Sequence, residues 1–146
     1  MTTRRDLILG AGSAALALAV GAAQATPEEA AAAVAKFTGG KPTTPGKITI
    51  DLPEIAENGT AVPLGVTVES PMMAADRITD ILVVADGNPN PRVAAFHFTP
   101  MSGRADIATR IRLNATENVI VVARTGDGRF FTARKEVKVT SGGCGG

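Results

Sequence analysis

Apolar and polar residues alternate along most of the chain, with the period of two that is typical of β-strands with one buried face. Residues 48–52 alternate in this way, and residues 107–113 place isoleucine, threonine and leucine on one side and alanine and arginine on the other. Residues 78–85 form instead a nearly continuous apolar run, which predicts a strand buried on both faces. The pattern predicts strands at 48–52, 62–69, 78–85, 93–99, 107–113, 118–124 and 129–139.

One helix precedes these strands. Pro27-Glu28-Glu29 and the alanines up to Phe37 favour about three helical turns, with Thr26 as the N-cap and Gly39-Gly40 closing the helix. Strong turn signals, such as Thr-Gly-Asp-Gly at 125–128, separate the strands. The order predicts an all-β fold, an immunoglobulin-like β-sandwich of about seven strands with one N-terminal helix and a flexible C-terminal arm. A small barrel and a jelly roll are the alternatives.

The first 25 residues have the pattern of a twin-arginine signal peptide. Arg4-Arg5 precedes an apolar run of 14 residues, Leu7 to Val20, which is too short to span a bilayer, and Ala23-Gln24-Ala25 suits a signal peptidase. We therefore expect a mature chain that begins near Thr26 in the periplasm, with no lipid anchor, because no cysteine stands at the cleavage point. The alternative is a buried N-terminal helix, which three glycines in this segment would weaken.

Composition excludes several classes of function. Lys+Arg 15 against Asp+Glu 14 gives a formal charge of +1, which indicates neither a nucleic-acid nor a membrane-surface partner. One cysteine and one histidine in 146 residues exclude an internal disulfide framework and a zinc site built from several such ligands. No acidic residue pairs with His97 by an obvious spacing. We therefore predict neither a catalytic triad nor a resident metal or other cofactor, and a protein that is not itself an enzyme.

The two halves of the expected mature chain differ in charge. Residues 26–100 carry 5 basic and 9 acidic side chains, whereas residues 101–146 carry 8 basic and 4 acidic ones. The basic half could attract anionic substrates or acidic patches on partner proteins. A solvated face, with the two halves interleaved in space, explains the counts equally well. Seven of the eight basic residues are candidates for this role: Arg104, Arg110, Arg112, Arg129, Arg134, Lys135 and Lys138.

The chain ends in Ser-Gly-Gly-Cys-Gly-Gly, residues 141–146, and contains its only thiol there. Gly142, Gly143, Gly145 and Gly146 have no side chains to pack, so we expect a flexible arm beyond a domain that spans residues 26–140. An exposed thiol titrates near its reference pKa of about 8.5, so an acceptor enzyme would have to activate Cys144. This arrangement suits a carrier whose thiol enters a narrow pocket of another protein. The alternative is a disordered tail with an incidental thiol.

Motifs over essentially the whole chain resemble the SoxY family of bacterial sulfur oxidation proteins. The most specific of them is the terminal Gly-Gly-Cys-Gly-Gly, because position, composition and export signal coincide. The motifs are Ile55-Ala56-Glu57-Asn58-Gly59, Val62-Pro63, Ser70-Pro71-Met72-Met73, Asn88-Pro89-Asn90-Pro91, Thr109-Arg110-Ile111-Arg112-Leu113 and Gly142-Gly143-Cys144-Gly145-Gly146.

The resemblance implies a periplasmic sulfur carrier that holds thiosulfate-derived intermediates covalently on Cys144. It also implies a tight heterodimer with the SoxZ subunit and an immunoglobulin-like fold. Transient contacts are implied with a haem enzyme that joins thiosulfate to the thiol, a hydrolase that releases sulfate, and a sulfane dehydrogenase. Tethering intermediates to one arm raises their effective concentration at each of these enzymes. Residues 78–85 and the alanine-rich helix are candidates for part of the heterodimer surface.

Two other classes of function compete with the carrier. Met72, Met73, Met101, His97 and Cys144 are soft ligands, so a periplasmic copper-binding β-sandwich is one alternative. The adjacent Met72 and Met73 would point to opposite sides of an extended chain, which favours core or interface packing for the methionines. The other alternative is an assembly module joined to a partner through a Cys144 disulfide.

Overall fold

The computed structural model describes residues 26–141, in which one helix is followed by nine strands and one short 3-10 turn at Ala74–Asp76. The seven predicted strands are all present, and their ends lie within two residues of the predicted ones. Two additional strands have two residues each, too few to produce a periodic pattern. The elements are α1 Pro27–Thr38, β1 Thr44–Pro45, β2 Ile48–Asp51, β3 Ile55–Ala56, β4 Val62–Val68, β5 Ile78–Ala85, β6 Arg92–His97, β7 Ala105–Ile111, β8 Glu117–Thr125 and β9 Phe130–Val139.

The strands form two sheets that face one another, which confirms the immunoglobulin-like sandwich. The larger sheet has the order β1-β9-β8-β5-β6, and β3 pairs with the free part of β9. The smaller sheet has the order β2-β4-β7. Side chains from both sheets, such as Leu64 and Val66 on β4 with Ile81 and Val121 on the larger sheet, form one buried cluster between them. Alternation along each strand decides which residues enter this core.

Strand β5 is buried on both of its faces, as its continuous apolar run predicts. Ile81 and Val83 point into the core between the sheets, whereas Leu82 and Val84 form a second cluster with Ala30 of α1. Seven of the eight β5 residues are buried. The expectation that residues 78–85 contribute to a heterodimer surface is therefore wrong, because the run is covered by the chain's own helix and second sheet. For the helix, the expectation stays a prediction.

The helix begins at the predicted residue and ends one residue after Phe37, with Gly39 closing it as predicted. Glu29 N donates to Thr26 Oγ1 at 3.3 Å, and Thr26 N donates to Glu29 Oε2 at 3.0 Å, a reciprocal capping box. Gly39 ends the helix in the left-handed conformation with φ +66°. Helix α1 lies on the outer face of the larger sheet, over β5. Between residues 26 and 141, no helix is long and apolar enough to cross a membrane.

Candidate functional site

The predicted carrier residue, Cys144, and the four glycines around it lie outside the described residues. The predicted signal peptide, residues 1–25, lies outside them as well. The structure does describe Ser141, where the terminal segment leaves the sandwich. Cys144 follows Ser141 by three residues, so covalent geometry limits the distance between their Cα atoms to about 11 Å. The surroundings of Ser141 are therefore the part of the domain next to the thiol.

Ser141 is held to the sandwich by one hydrogen bond from the loop that follows β3, and its neighbour Thr140 donates a second bond to β3 itself. Strand β3 pairs in parallel with the last residues of β9, so that Ala56 lies opposite Val139. Thr140 N donates to Ala56 O at 3.1 Å, and Gly59 N donates to Ser141 O at 2.8 Å. The terminal segment therefore starts from a fixed point of the fold.

The loop that holds Ser141 is itself tied to the rest of the domain. Leu113 N donates to Gly59 O at 2.8 Å, and Thr60 N donates to Asn58 Oδ1 at 2.9 Å. Leu113 is fully buried, so this bond connects the loop to the core. The loop residues Glu-Asn-Gly-Thr at 57–60 thus support the base of the thiol-bearing segment.

A surface cleft lies beside this base. It has a volume of about 300 Å³ and is lined by residues of β3, β9 and the approach to β3. Ile55 in its wall is 57% exposed, and charged side chains of both signs surround it. An apolar residue framed by charges at the base of the segment suits contact with another protein. The lining residues are Glu54, Ile55, Lys135, Glu136 and Lys138.

A second polar site lies at the opposite end of the larger sheet, and the sequence did not predict it. Asp80 of β5 is opposite His97 of β6 and Arg124 of β8 in the strand register. The Asp80 carboxylate is paired with both side chains, with His97 Nδ1 and with Arg124 Nη2. His97 therefore does pair with an acidic residue, and the expectation that it has no such partner is wrong. Sequence spacing failed because the partner lies 17 residues away on the neighbouring strand.

Burial and hydrogen bonding act in opposite directions on Asp80. The residue is 5% exposed, and burial opposes ionisation of its carboxyl group. Hydrogen bonds from Thr79, His97 and Arg124 and the charge of Arg124 outweigh that effect, so the pKa of Asp80 lies below its ordinary value. Asp80 is thus an anion that orients two side chains. The sequence signal that could have predicted this site is the one carboxylate in the apolar run of β5.

The predicted basic half is interleaved with acidic residues of the first half. Arg129 pairs with Asp76 at 2.5 Å as well as with Asp127 at 2.8 Å, and Arg134 lies 3.8 Å from Asp86. These contacts support a solvated face in which the two halves mix. Arg110 and Arg112 lie on the polar side of the β7 chain segment and are exposed.

A buried carboxylate fixes two loops near the start of β8. Glu117 is 4% exposed and accepts hydrogen bonds from Gly87 N at 3.2 Å, Asn114 N at 3.1 Å and Ala115 N at 3.2 Å. Burial raises the pKa of Glu117, and the charge of Asp86 adds to this, although the three backbone donors act in the opposite direction. Because all three donors are backbone groups of the two loops, the role of Glu117 is to stabilise those loops.

The methionines give limited support to a copper site. Met72 is 7% exposed and packs in the core, which agrees with the prediction of core or interface packing. Met73 and Met101 are 70% and 92% exposed. Within residues 26–141 there is no group of three or more His, Cys, Asp or Glu side chains that could hold a metal ion. Packing of Met73 and Met101 in an interface with a partner stays a prediction.

Comparison with known proteins supports the resemblance. Residues 34–144 match the model of the family described as SoxY, sulfur oxidation protein SoxY. A solved structure of the sulfur carrier protein SoxY from Chlorobium limicola f thiosulfatophilum is similar, with 35% sequence identity and a TM-score of 0.66. The similarity covers 77% of this chain and 97% of that one. A comparison with curated proteins returns no match.

More distant solved structures share the fold alone. A superoxide reductase (neelaredoxin) from Ignicoccus hospitalis is 21% identical with a TM-score of 0.57, over 79% of this chain and 94% of its own. A putative superoxide reductase from Thermotoga maritima is 17% identical with a TM-score of 0.53, over 72% of this chain and 91% of its own. The sandwich is thus common to proteins of different activity, so function has to be argued from the site.

Proposed function

The chain belongs to the SoxY family of sulfur oxidation proteins and has the sulfur carrier role of that family, and from this premise we propose that it carries sulfur covalently on Cys144 in the periplasm. The observation that carries the proposal is the family match itself, which extends to residue 144. Cys144 is the only cysteine in the chain, so no other thiol could hold the cargo. A carrier of this kind is acted on by enzymes and is not one.

The base of the terminal segment supports this role physically. Ser141 is fixed by its hydrogen bond from Gly59, and the thiol is at most a few residues away from that fixed point. Glycines on both sides of Cys144 present no side chains that would collide with the walls of a narrow active site. A partner enzyme that docks on the sandwich near Ser141 would therefore find the sulfur within a small, known radius.

The proposed chemistry needs partner enzymes at each step. Loading joins the Cys144 sulfur to the outer sulfur of thiosulfate, and two electrons and the thiol proton must leave. The chain has no second cysteine to accept those electrons, so the proposal assigns them to a haem enzyme. Hydrolysis then adds water across the bond to the terminal sulfone, releasing sulfate and leaving a persulfide on Cys144. A sulfane dehydrogenase would oxidise that remaining sulfur.

Membership of the family implies a role within a Sox complex. We propose the SoxZ subunit as the stable partner, and the cleft beside Ile55 as the surface that the transient enzymes contact. The exposed Ile55 and the mixed charges around it support contact with proteins rather than with a small ligand. Export through the twin-arginine pathway places the complex in the periplasm in this proposal, and the N-cap at Thr26 directly follows the expected cleavage point.

The decisive experiment follows the sulfur on the protein. Protein from cells that oxidise thiosulfate should show, by intact-mass measurement, adducts of sulfur or thiosulfate on the C-terminal peptide, and reductant should remove them. Cys144→Ser should keep the same unfolding midpoint and lose sulfur oxidation in a reconstituted system. Ser141→Ala, which keeps the backbone carbonyl that accepts from Gly59, is the matched control and should stay active. Full activity of Cys144→Ser would refute the carrier role.

Two further measurements test the location and the alternatives. Arg4→Lys with Arg5→Lys should retain the precursor in the cytoplasm, and normal export would contradict the twin-arginine assignment. Copper titration of protein with a blocked thiol separates the carrier from the copper-binding alternative, because saturable copper binding would favour the latter. A stable disulfide partner recovered under non-reducing conditions would favour the assembly module.

A further inference from the structure

The groove between the end of α1 and the edge strand β6 has the geometry of a ligand site. Its cavity of about 390 Å³ lies within the range of small-molecule sites. Each of three cross-strand rows contributes at least one residue to its lining, because β6, β5 and β8 are neighbours in the larger sheet. The rows are His97-Asp80-Arg124, Ala95-Leu82-Val122 and Arg92-Val84-Ile120.

The rim of the groove is cationic. Lys36 of α1 and Arg92 of β6 line it, and neither forms an ion pair with any residue in the part of the chain that the structure describes. Arg124 also lines it, but its charge is balanced by Asp80. Two uncompensated positive charges thus face one cavity. An anion with two negative charges would neutralise both.

The floor between these cations is apolar. Leu82 and Ala95 lie in the middle row, and Ala33 and Phe37 of α1 form the helix wall. The guanidinium of Arg124 lies over the Phe37 ring, with Cζ 5.9 Å from the ring centroid, which fixes one corner of the groove. A ligand with a weakly hydrated body as well as anionic oxygens would fit such a surface better than a fully hydrated anion.

The side chains at one end of the groove are held in place before any ligand arrives. Asp80, almost fully buried, accepts from His97 Nδ1 and Arg124 Nη2, and Arg124 Nε also donates to Thr79 Oγ1 at 3.3 Å. The remaining Arg124 nitrogen, Nη1, is then free to donate, because the structure gives it no partner among residues 26–141. A fixed guanidinium donor at the end of a cationic groove suits anionic oxygens.

We propose that this groove is a binding site for a small free dianion that carries an apolar or weakly hydrated body, such as a dicarboxylate or thiosulfate. Lys36 and Arg92 supply the charge, Arg124 supplies a directed hydrogen bond, and Leu82 and Ala95 supply the apolar contact.

The site is distinct from the thiol-bearing segment of this chain. Ile120, in the row of the groove that is nearest to the segment, pairs with Arg134 of β9, and Val139 at the end of β9 lies five strand residues, about 17 Å, farther from the groove. Cys144 lies within about 11 Å of Ser141 by covalent geometry, so it does not reach the groove. The proposed ligand of the groove is therefore a free anion and not a group attached to Cys144 of the same chain. The inference does not depend on the proposed carrier function.

The only histidine in the chain provides a direct measurement. The full mature chain carrying Cys144→Ser, in which no covalent loading occurs, is titrated at constant pH and ionic strength with succinate, thiosulfate, sulfate or chloride. We expect succinate and thiosulfate to shift the single histidine Hε1 NMR signal saturably, with sulfate weaker and chloride inert. Absence of a saturable shift with both succinate and thiosulfate, or an equal response to chloride, would overturn the proposal.

Variants identify the groove as the place of binding. Arg92→Gln and Lys36→Gln should each weaken binding about fivefold, the scale of one solvent-accessible ion pair. Arg110→Gln removes an exposed arginine from the smaller sheet and should leave binding unchanged. Lys36, Arg92 and Arg110 are all exposed, so the three proteins should keep the same far-UV spectrum and unfolding midpoint. Equal weakening by all three variants would show nonspecific attraction and refute the site.

Discussion

Replacing Asp80 by Asn tests the claim that a buried carboxylate organises one end of the larger sheet. The substitution keeps the size of the side chain and one oxygen acceptor, but it removes the negative charge between His97 and Arg124. The Asp80 side chain is 7% exposed, whereas those of His97 and Arg124 are 77% and 43% exposed. The two partners can therefore regain water when the carboxylate is lost.

The exposure of the partners decides the magnitude. A fully buried pair that loses one member costs about 3–5 kcal/mol, because the remaining charge is stranded, and a surface pair contributes at most about 1 kcal/mol. Asp80 lies between these limits, and a hydrogen bond to a charged group contributes about 1.5–3 kcal/mol before screening. We expect Asp80→Asn to lower the free energy of unfolding by about 1–2 kcal/mol at pH 7, with a decrease of roughly 4–8 °C in the unfolding midpoint.

The pH dependence supplies a second, independent criterion. Folding lowers the pKa of Asp80, so the wild type gains stability from this group above the unfolded-state value near 3.8 and loses it as pH falls through the lower folded-state value. Asn does not titrate. The difference in unfolding free energy between the two proteins should therefore be greatest at neutral pH and should shrink below about pH 4.

Urea unfolding followed by far-UV circular dichroism is the appropriate assay, because the chain contains no Trp and no Tyr. Asp76→Asn is the matched control, because the Asp76 side chain is 56% exposed and its partner Arg129 retains a second ion pair with Asp127. It should cost no more than about 0.5 kcal/mol. A cost for Asp80→Asn no greater than that of the control, or a difference that does not shrink in acid, would refute the reasoning.

Three other predictions use the same kind of measurement. Glu117→Gln should cost about 1–3 kcal/mol at pH 4, because one amide oxygen replaces two acceptors of three buried backbone donors. Folding raises the pKa of Glu117, so this group stabilises the fold fully below its ordinary pKa of 4.5, and that stabilisation is lost as pH rises through the folded-state pKa. A difference in unfolding free energy between wild type and Glu117→Gln that grows towards pH 7 would contradict this. Gly128→Ala should cost about 1–2 kcal/mol because φ there is +81°, whereas Gly103→Ala, with ordinary φ and open space, should be neutral; equal midpoints would contradict the backbone argument. Gly143→Val together with Gly145→Val should leave the unfolding midpoint unchanged and slow turnover by partner enzymes. Undiminished turnover would show that the absence of side chains around Cys144 is not required.

The groove beside α1 and the base of the terminal segment lie at opposite ends of the sandwich. A carrier needs its thiol-bearing end free for several enzymes in turn, and a ligand site at the far end leaves it free. The proposed carrier function concerns the first of these ends, and the proposed anion groove concerns the second. Measurements on Cys144→Ser protein separate the two, because that variant lacks the thiol and retains the groove.

The alternation of apolar residues determined most of the architecture. Seven strands, the capped helix and the burial of β5 on both faces follow from local patterns, because side chains on a strand alternate and helix ends need capping groups. The identity of the thiol is also a property of the sequence, since the chain has one cysteine. The two-residue strands β1 and β3 were missed because they gain their hydrogen bonds only from β9.

Tertiary structure alone decided which side chains meet. His97 and Arg124 are 17 and 44 residues from Asp80, and only the register of β6 and β8 against β5 places them in one row. The same holds for Arg129 with Asp76 and for the bond from Gly59 to Ser141. A local pattern reports which face of a strand is buried, but the strand's partner and register depend on packing across the whole sandwich.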